Sequence, residues 1–165
     1  MSETCGQPGE SGIRLGTYIV DNDWLDYNGH MNVAYYTMIF DRATDRLFDL
    51  IGIGRDYTET RGQSVFALDA HITYQQELKA GQTVRLSALL LDHDDKRLHF
   101  FMHLFEQSSG RLSSTFEQLA IHVDMDSRRA CPFPDNIRQN LAIMKKQHED
   151  WPRPQEAGRI IGIRR

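Results

Sequence analysis

Cysteine is scarce in this chain. Its 165 residues include two, Cys5 and Cys131, and neither belongs to a CxxC or Cys/His pattern. That argues against a disulfide scaffold and a cysteine-built metal centre, and it fits reduced thiols in a cytoplasm. Long apolar runs are also missing. The longest, Ala88–Leu91, is far below the roughly 20 residues that span a bilayer, so no membrane segment is expected. The opening "MSETCGQPGESG" has no basic stretch followed by an apolar one, so no signal peptide is expected either. Positive charge is not in excess: the formal net charge is −4, which argues against nucleic acid as the partner. Local basic groups (Arg128–Arg129, Lys145–Lys146, and Arg159 with Arg164 and Arg165) are solvated surface or contacts for a small anion. No internal repeat or low-complexity block is visible.

What remains is a globular composition, 40% hydrophobic and 25% charged, at a length that suits one domain. A domain of this size buries roughly 70% of its unfolded surface and needs no staple. Residues 1–12 are rich in Gly, Ser, Glu and Pro and are expected to form a disordered arm. Residues 13–150 make the domain, and 151–165 a proline-punctuated tail.

Along the chain, "IRLGTYIV" (Ile13–Val20) reads as a first strand. Val33, Tyr36, Phe40, Ala43, Leu47 and Leu50 then recur at three- and four-residue spacing, which predicts a helix over Val33–Ile51 with these residues as its buried stripe. Asn32 is its expected N-cap, and "GIG" ends it. Arg55–Gln63 is polar and reads as a loop. Four strands follow: Ser64–Leu78, Thr83–Asp92, a stretch carrying Leu98, Phe100, Met102 and Leu104, and Arg111–Asp124. In the first of them Phe66, Leu68, Ala70, Ile72 and Tyr74 alternate onto one face. The connections "KAGQ", "DHDDK" and "SSGR" are short, which favours antiparallel pairing. Pro134–Glu149 reads as a terminal helix. The fold class is therefore α+β: a curved, mostly antiparallel five-stranded sheet around one long central helix, plus a C-terminal helix.

The most crowded stretch is "DNDWLDYNGHMNVAYY", Asp21–Tyr36, just ahead of that helix. Asp21, Asn22 and Asp23 are ordinary turn formers. Asp26 alone is either another turn carboxylate or an acid with work to do. The free amides of a helix N-terminus favour developing negative charge, so the amides near Asn32 and Val33 are oxyanion candidates.

The element order, with "DWLDYNGHMN" before the helix, resembles the hotdog-fold acyl-CoA thioesterases of the 4-hydroxybenzoyl-CoA thioesterase type. Members carry Asp–x–x–Gly between the first strand and the central helix, often continuing His–x–Asn, and Asp26, Gly29, His30 and Asn32 match that pattern. The likeness covers about Ile13–Asp124. Within the superfamily, "DWLDYNGHMNVAYY", "FEQLAIHVDM" and "GRIIGI" are most similar to the betainyl-CoA thioesterases of carnitine metabolism.

The resemblance implies hydrolysis of a small acyl-CoA to free acid and coenzyme A. Asp26 would be nucleophile or general base. The Val33 amide would hold the oxyanion, and Gly29 would let the backbone approach the thioester. His30 would orient the carbonyl or a water; Asn32 would orient substrate or only cap the helix. No metal and no bound cofactor are expected, coenzyme A being part of the substrate. The partners expected are that small acyl-CoA and a second copy of the chain, as a homodimer or a dimer of dimers joined edge to edge, with no nucleic acid or membrane.

A betainyl group carries a quaternary ammonium, which aromatic faces and a carboxylate recognise. Trp24, Tyr27 and Tyr36 are candidates for substrate contact, with Tyr35, Tyr74 and Phe116 as further aromatics that otherwise belong to the core. Glu117 shares strand parity with Leu119, Ile121 and Val123. It therefore points to an apolar face, where it supplies the compensating charge near the helix mouth or escapes through a bulge. His99 and His103 share a strand face but stand over ~10 Å apart, too far for one metal.

Two other readings remain open. A hotdog-fold hydratase typically carries Asp–x–Asn–Pro–x–His, from which this chain departs at Gly29 and in the early position of His30. A non-catalytic acyl-CoA-binding protein lacks a reason for Asp26.

Overall fold

The computed structural model describes residues 12–163. Cys5, Arg164, Arg165 and all of the expected N-terminal arm but Gly12 lie outside them.

The elements run β1 (Ile13–Ile19), a 3-10 turn (Asn22–Trp24), α1 (Val33–Ile51), α2 (Arg55–Arg61), β2 (Gln63–Tyr74), β3 (Thr83–His93), β4 (Arg97–Glu106), β5 (Leu112–Asp124), β6 (Arg129–Ala130) and α3 (Asp135–Gln147). The sheet order is β1-β3-β4-β5-β2, with every pairing antiparallel. The short β6 pairs with β5 through Val123↔Ala130 and Asp124↔Arg129, which makes six strands rather than five. Two residues are too few to show a period, so β6 leaves no sequence signal.

The sheet curls around α1. Tyr36, Ile39, Phe40, Ala43, Leu47 and Ile51 pack into one core with Val84, Leu86, Ala88 and Leu90 of β3, Leu98, Phe100, Met102 and Leu104 of β4, and Ile137, Leu141 and Met144 of α3. The alternation expected for β4 is the one found, and Val84, Leu86, Ala88 and Leu90 of β3 alternate in the same way. The ends of the α1 stripe differ from expectation: Val33 and Leu50 are both 59% exposed. Ile39, Thr44 and Ile51 are buried in its place, so the stripe is set one step round the helix.

Arg55–Gln63, expected as a loop, contains α2 instead. Gly54 precedes the helix, and Gly62 ends it in the left-handed region at φ 64°. No residue of α2 is buried, so it shows no apolar period. In β2 a bulge between Ala67 and Asp69 breaks the expected alternation. Val65 and Ile72, of opposite parity, both pack on the core, while Leu68 and Tyr74 are 53% and 51% exposed. A bulge adds one residue to one strand and swaps the faces beyond it. β2 also stops at Tyr74, so Leu78 is buried in a connector and not in a strand.

The outer face of the sheet is unlike the inner one. His103 sits between Phe101 and Phe105, and Ser87 and Thr115 beside it are buried. The C-terminal segment reaches this face: Gln75 donates to Glu156, and the Gly158 amide donates to the Glu117 carboxylate at 2.8 Å. Beyond the end of β1, the Leu90 amide donates to His148 Nδ1 at 2.9 Å, so the end of α3 satisfies an edge amide that β1 no longer covers.

Candidate active site

The loop from Val20 to Asn32 is a compact knot of backbone hydrogen bonds. Asp21 caps the 3-10 turn by accepting from the Asp23 amide, which is turn chemistry as expected. Leu25 and Met31 form an isolated bridge. Between them the Asp26 amide donates to His30 O at 2.9 Å, and the Gly29 amide to Asp26 O at 3.0 Å. Asp26 Oδ1 accepts from the Asn28 amide at 2.8 Å, which leaves the other carboxylate oxygen available.

Gly29 stands at φ 77°, and beyond its chain neighbours no atom lies within 4 Å of where a β-carbon would sit. The turn therefore needs glycine for its backbone angle and not for space.

Asn32 caps α1: its Oδ1 accepts from the Ala34 amide at 2.9 Å, and its carbonyl from the Tyr35 amide at 3.0 Å. The Val33 amide finds no acceptor among the described residues. One N–H at the positive end of a 19-residue helix therefore stays open to a ligand, seven positions from Asp26.

The wall beside this mouth comes from the connector between β2 and β3. The Met31 amide donates to Leu78 O at 2.8 Å. Tyr36, hydrogen-bonded to the Leu78 backbone, has its phenol pushed up to about 12, chiefly by burial, so it stays protonated at neutral pH. Tyr36 also meets the edge of Tyr74 with ring centroids 5.2 Å apart. Trp24 stacks on Tyr35 at 5.4 Å, and its carbonyl accepts from the Asn32 amide. The connector contributes a residue that sequence reasoning missed: Glu77 Oε2 lies 2.9 Å from His30 Nε2. Its one sequence signal is its place directly before an apolar residue in a polar connector.

Asp26, His30, Asn32, Val33, Trp24 and Tyr36 are thus gathered about one helix mouth. Tyr27 is 97% exposed and stands apart from the aromatic pairs. Glu117 is a correction. On β5 the core-facing residues are Phe116 and Ala120, so Glu117 points to the outer face, where its Oε1 lies 2.7 Å from His99 Nε2. The parity was read correctly, but the face was the wrong one. A cavity of about 650 Å³ lies between α1 and β2, and its lining, which includes Asp41, Asp45, Asp49 and Phe48, does not include Asp26. Among the described residues no group of three or more His, Cys, Asp or Glu is placed to hold a metal.

Comparison with known proteins decides the family. The model of the thioesterase-like superfamily matches residues 20–141. The chain belongs to that superfamily. Among its relatives is a betainyl-CoA thioesterase from Pseudomonas aeruginosa, 36% identical over 86% of this chain and 89% of its own. Another is an L-carnitine dehydrogenase/betainyl-CoA thioesterase from Rhizobium meliloti, 34% identical over 93% of this chain. The chain spans 31% of the length of that second relative. Among solved structures, a Staphylococcus aureus protein in complex with CoA superposes with a TM-score of 0.86, at 28% identity over 96% of this chain and 100% of its own. The thioesterase-like fold of this chain is the hotdog arrangement of a curled antiparallel sheet around a helix.

Proposed function

We propose that this thioesterase-like chain hydrolyses an acyl-CoA thioester to free acid and coenzyme A, with betainyl-CoA as the preferred substrate. The observation that carries the mechanism is the pairing at one helix mouth of a half-buried carboxylate, Asp26, with an open helix amide, Val33. The Asp26 carboxylate attacks the thioester carbonyl directly or takes a proton from the attacking water. The Val33 amide receives the developing oxyanion at the positive end of α1. A C–O bond forms, the C–S bond breaks, and the thiolate leaves with one proton. Trp24 and Tyr35 offer a stacked aromatic surface to a quaternary ammonium. The CoA-bound relative and the two betainyl-CoA relatives support the substrate class.

The working unit is a homodimer. β2 is an edge strand of 12 residues, and an open edge of that length is usually covered by a partner. We place the enzyme in the cytoplasm, in keeping with a free Cys131 thiol.

The test is thiol release over betainyl, short straight-chain and aromatic acyl-CoAs, with Asp26→Asn as the control. Asp26→Asn should cut kcat by about 100- to 10,000-fold. Single turnover in ¹⁸O-water separates the two roles: label entering Asp26 marks the nucleophile. Absence of thiol release from every substrate removes the enzymatic reading, and equal rates on betainyl-CoA and a neutral isostere remove the betainyl preference.

A further inference from the structure

The His30–Glu77 contact joins two segments far apart in sequence, and both are held tightly by backbone bonds. On one side the His30 carbonyl accepts from the Asp26 amide, and the Met31 amide that follows donates to Leu78 O. On the other side Glu77 immediately precedes Leu78, whose side chain is fully buried. The connector is closed by Lys79 N donating to Gln82 Oε1 at 2.7 Å and by Gly81 N donating to Val20 O at 2.8 Å. The backbone of each partner is thus set before the side chains meet.

The contact has little value as a stabilising device. The side chains are 35% and 51% exposed, and ion pairs of that exposure contribute about 0–1 kcal/mol. Its chemical consequence is larger. A carboxylate only accepts, so an imidazole nitrogen bonded to it at 2.9 Å must carry the proton. Neutral His30 is then the Nε2–H form, and its Nδ1 is left with a free lone pair that meets no partner among the described residues.

We infer that Glu77 is a positioning residue: its carboxylate fixes the tautomer and ring orientation of His30, so that Nδ1 is presented as a proton acceptor at the helix mouth. This rests on the thioesterase reading above. In hydrolysis the attacking water must lose one proton, and the departing thiolate must gain one. In the route where Asp26 attacks the carbonyl, the C–S bond breaks first and the thiolate is released; Nδ1 then takes a proton from the water that opens the mixed anhydride and passes it to the waiting thiolate, so the ring ends as it began. Lys79, 3.7 Å from the other Glu77 oxygen and mostly exposed, balances the carboxylate charge and takes no part in the transfer.

The experiment uses full-length wild type, Glu77→Ala, Glu77→Gln and Lys79→Ala, each checked for native circular dichroism. Long-range ¹H–¹⁵N spectra at about pH 8, above the usual histidine range, read the His30 tautomer directly. Wild type and Lys79→Ala should show Nε2–H. Glu77→Ala should show a mixture, and Glu77→Gln, which keeps an acceptor oxygen, should fall between them. In thiol release, Glu77→Ala should lower kcat about 10- to 100-fold with KM within about twofold, and should cost nothing further in a His30→Ala background. An unchanged His30 tautomer in Glu77→Ala overturns the inference. So does a rise in KM at constant kcat, and a rise confined to cationic acyl groups would make Glu77 a substrate-binding carboxylate instead. The spectra decide on Glu77 even if no substrate is cleaved, so its failure is separable from failure of the thioesterase reading.

Discussion

The molecule contains two histidine–glutamate pairs of nearly the same geometry in very different places. His30–Glu77 spans 2.9 Å at the mouth of α1, with side chains 35% and 51% exposed. His99–Glu117 spans 2.7 Å on the outer face of the sheet, with side chains 26% and 12% exposed. The outer pair is closed off: the Gly158 amide donates to both Glu117 oxygens, at 3.0 and 2.8 Å, so the carboxylate ties the C-terminal segment to the sheet. At the mouth the third group is the mostly exposed Lys79, 3.7 Å from Glu77 Oε1, and among the described residues no backbone amide ties that carboxylate to another segment. The same two side chains make a brace where a third segment bonds to the carboxylate and an exposed surface pair where none does. That difference comes from burial and from what the backbone brings near, not from residue type.

The comparison breaks most sharply at the mouth. His30→Ala should lower kcat by about 100-fold or more while the midpoint of urea unfolding hardly moves, because an exposed pair contributes about 0–1 kcal/mol. Parallel thiol-release and denaturation curves check this, and a large loss of stability with normal kcat would reverse the assignment of the two pairs.

The outer face should instead report itself through acid. Burial pushes the His103 imidazole down to about 4, against a small opposing pull from the Glu156 charge. Burial also lowers His122 and His148. In this case the unfolded chain takes up protons first, so stability is complete above the unfolded value near 6.5 and falls as pH drops from there toward 4. The His103 share is up to about 3 kcal/mol. His103→Phe should flatten that slope in denaturant unfolding at a series of pH values. Below it a second decline belongs to Glu106, which hydrogen bonds from Ser109 and Ser108 hold down at about 2; its contribution is lost as pH falls from the ordinary glutamate value toward 2.

The smallest effect expected is at the brace. Glu117→Ala strands His99 and the Gly158 amide and should cost about 1–3 kcal/mol, with kcat within a few-fold of wild type. Faster hydrogen exchange at Gly158 would locate the loss in the C-terminal segment. A fall in kcat as deep as that of His30→Ala would return Glu117 to the substrate site.

The limits of α1 were legible because a long amphipathic helix repeats its signal many times and carries its own cap and stop, Asn32 and Gly52. β3 and β4 were legible for the same reason of repetition. The order of elements with Asp26, Gly29, His30 and Asn32 was enough to indicate the family. α2 and β6 were not legible, the first because it buries nothing and the second because it is two residues long. The β2 bulge was hidden because one added residue leaves composition unchanged and alters only the pairing.

Local chemistry, then, lay in the sequence itself: which residue caps a helix, which residues of a strand share a face, and which carboxylate stands in the loop ahead of the helix. Tertiary structure alone decided the partners. Parity says that Glu117 and Leu119 share a face, but which face packs on α1 depends on how the sheet curls. Glu77 reaches His30 because Leu78 is buried and its carbonyl takes the Met31 amide. A pairing between segments so distant is specified by the closure of the whole core, and no local period in the chain records it.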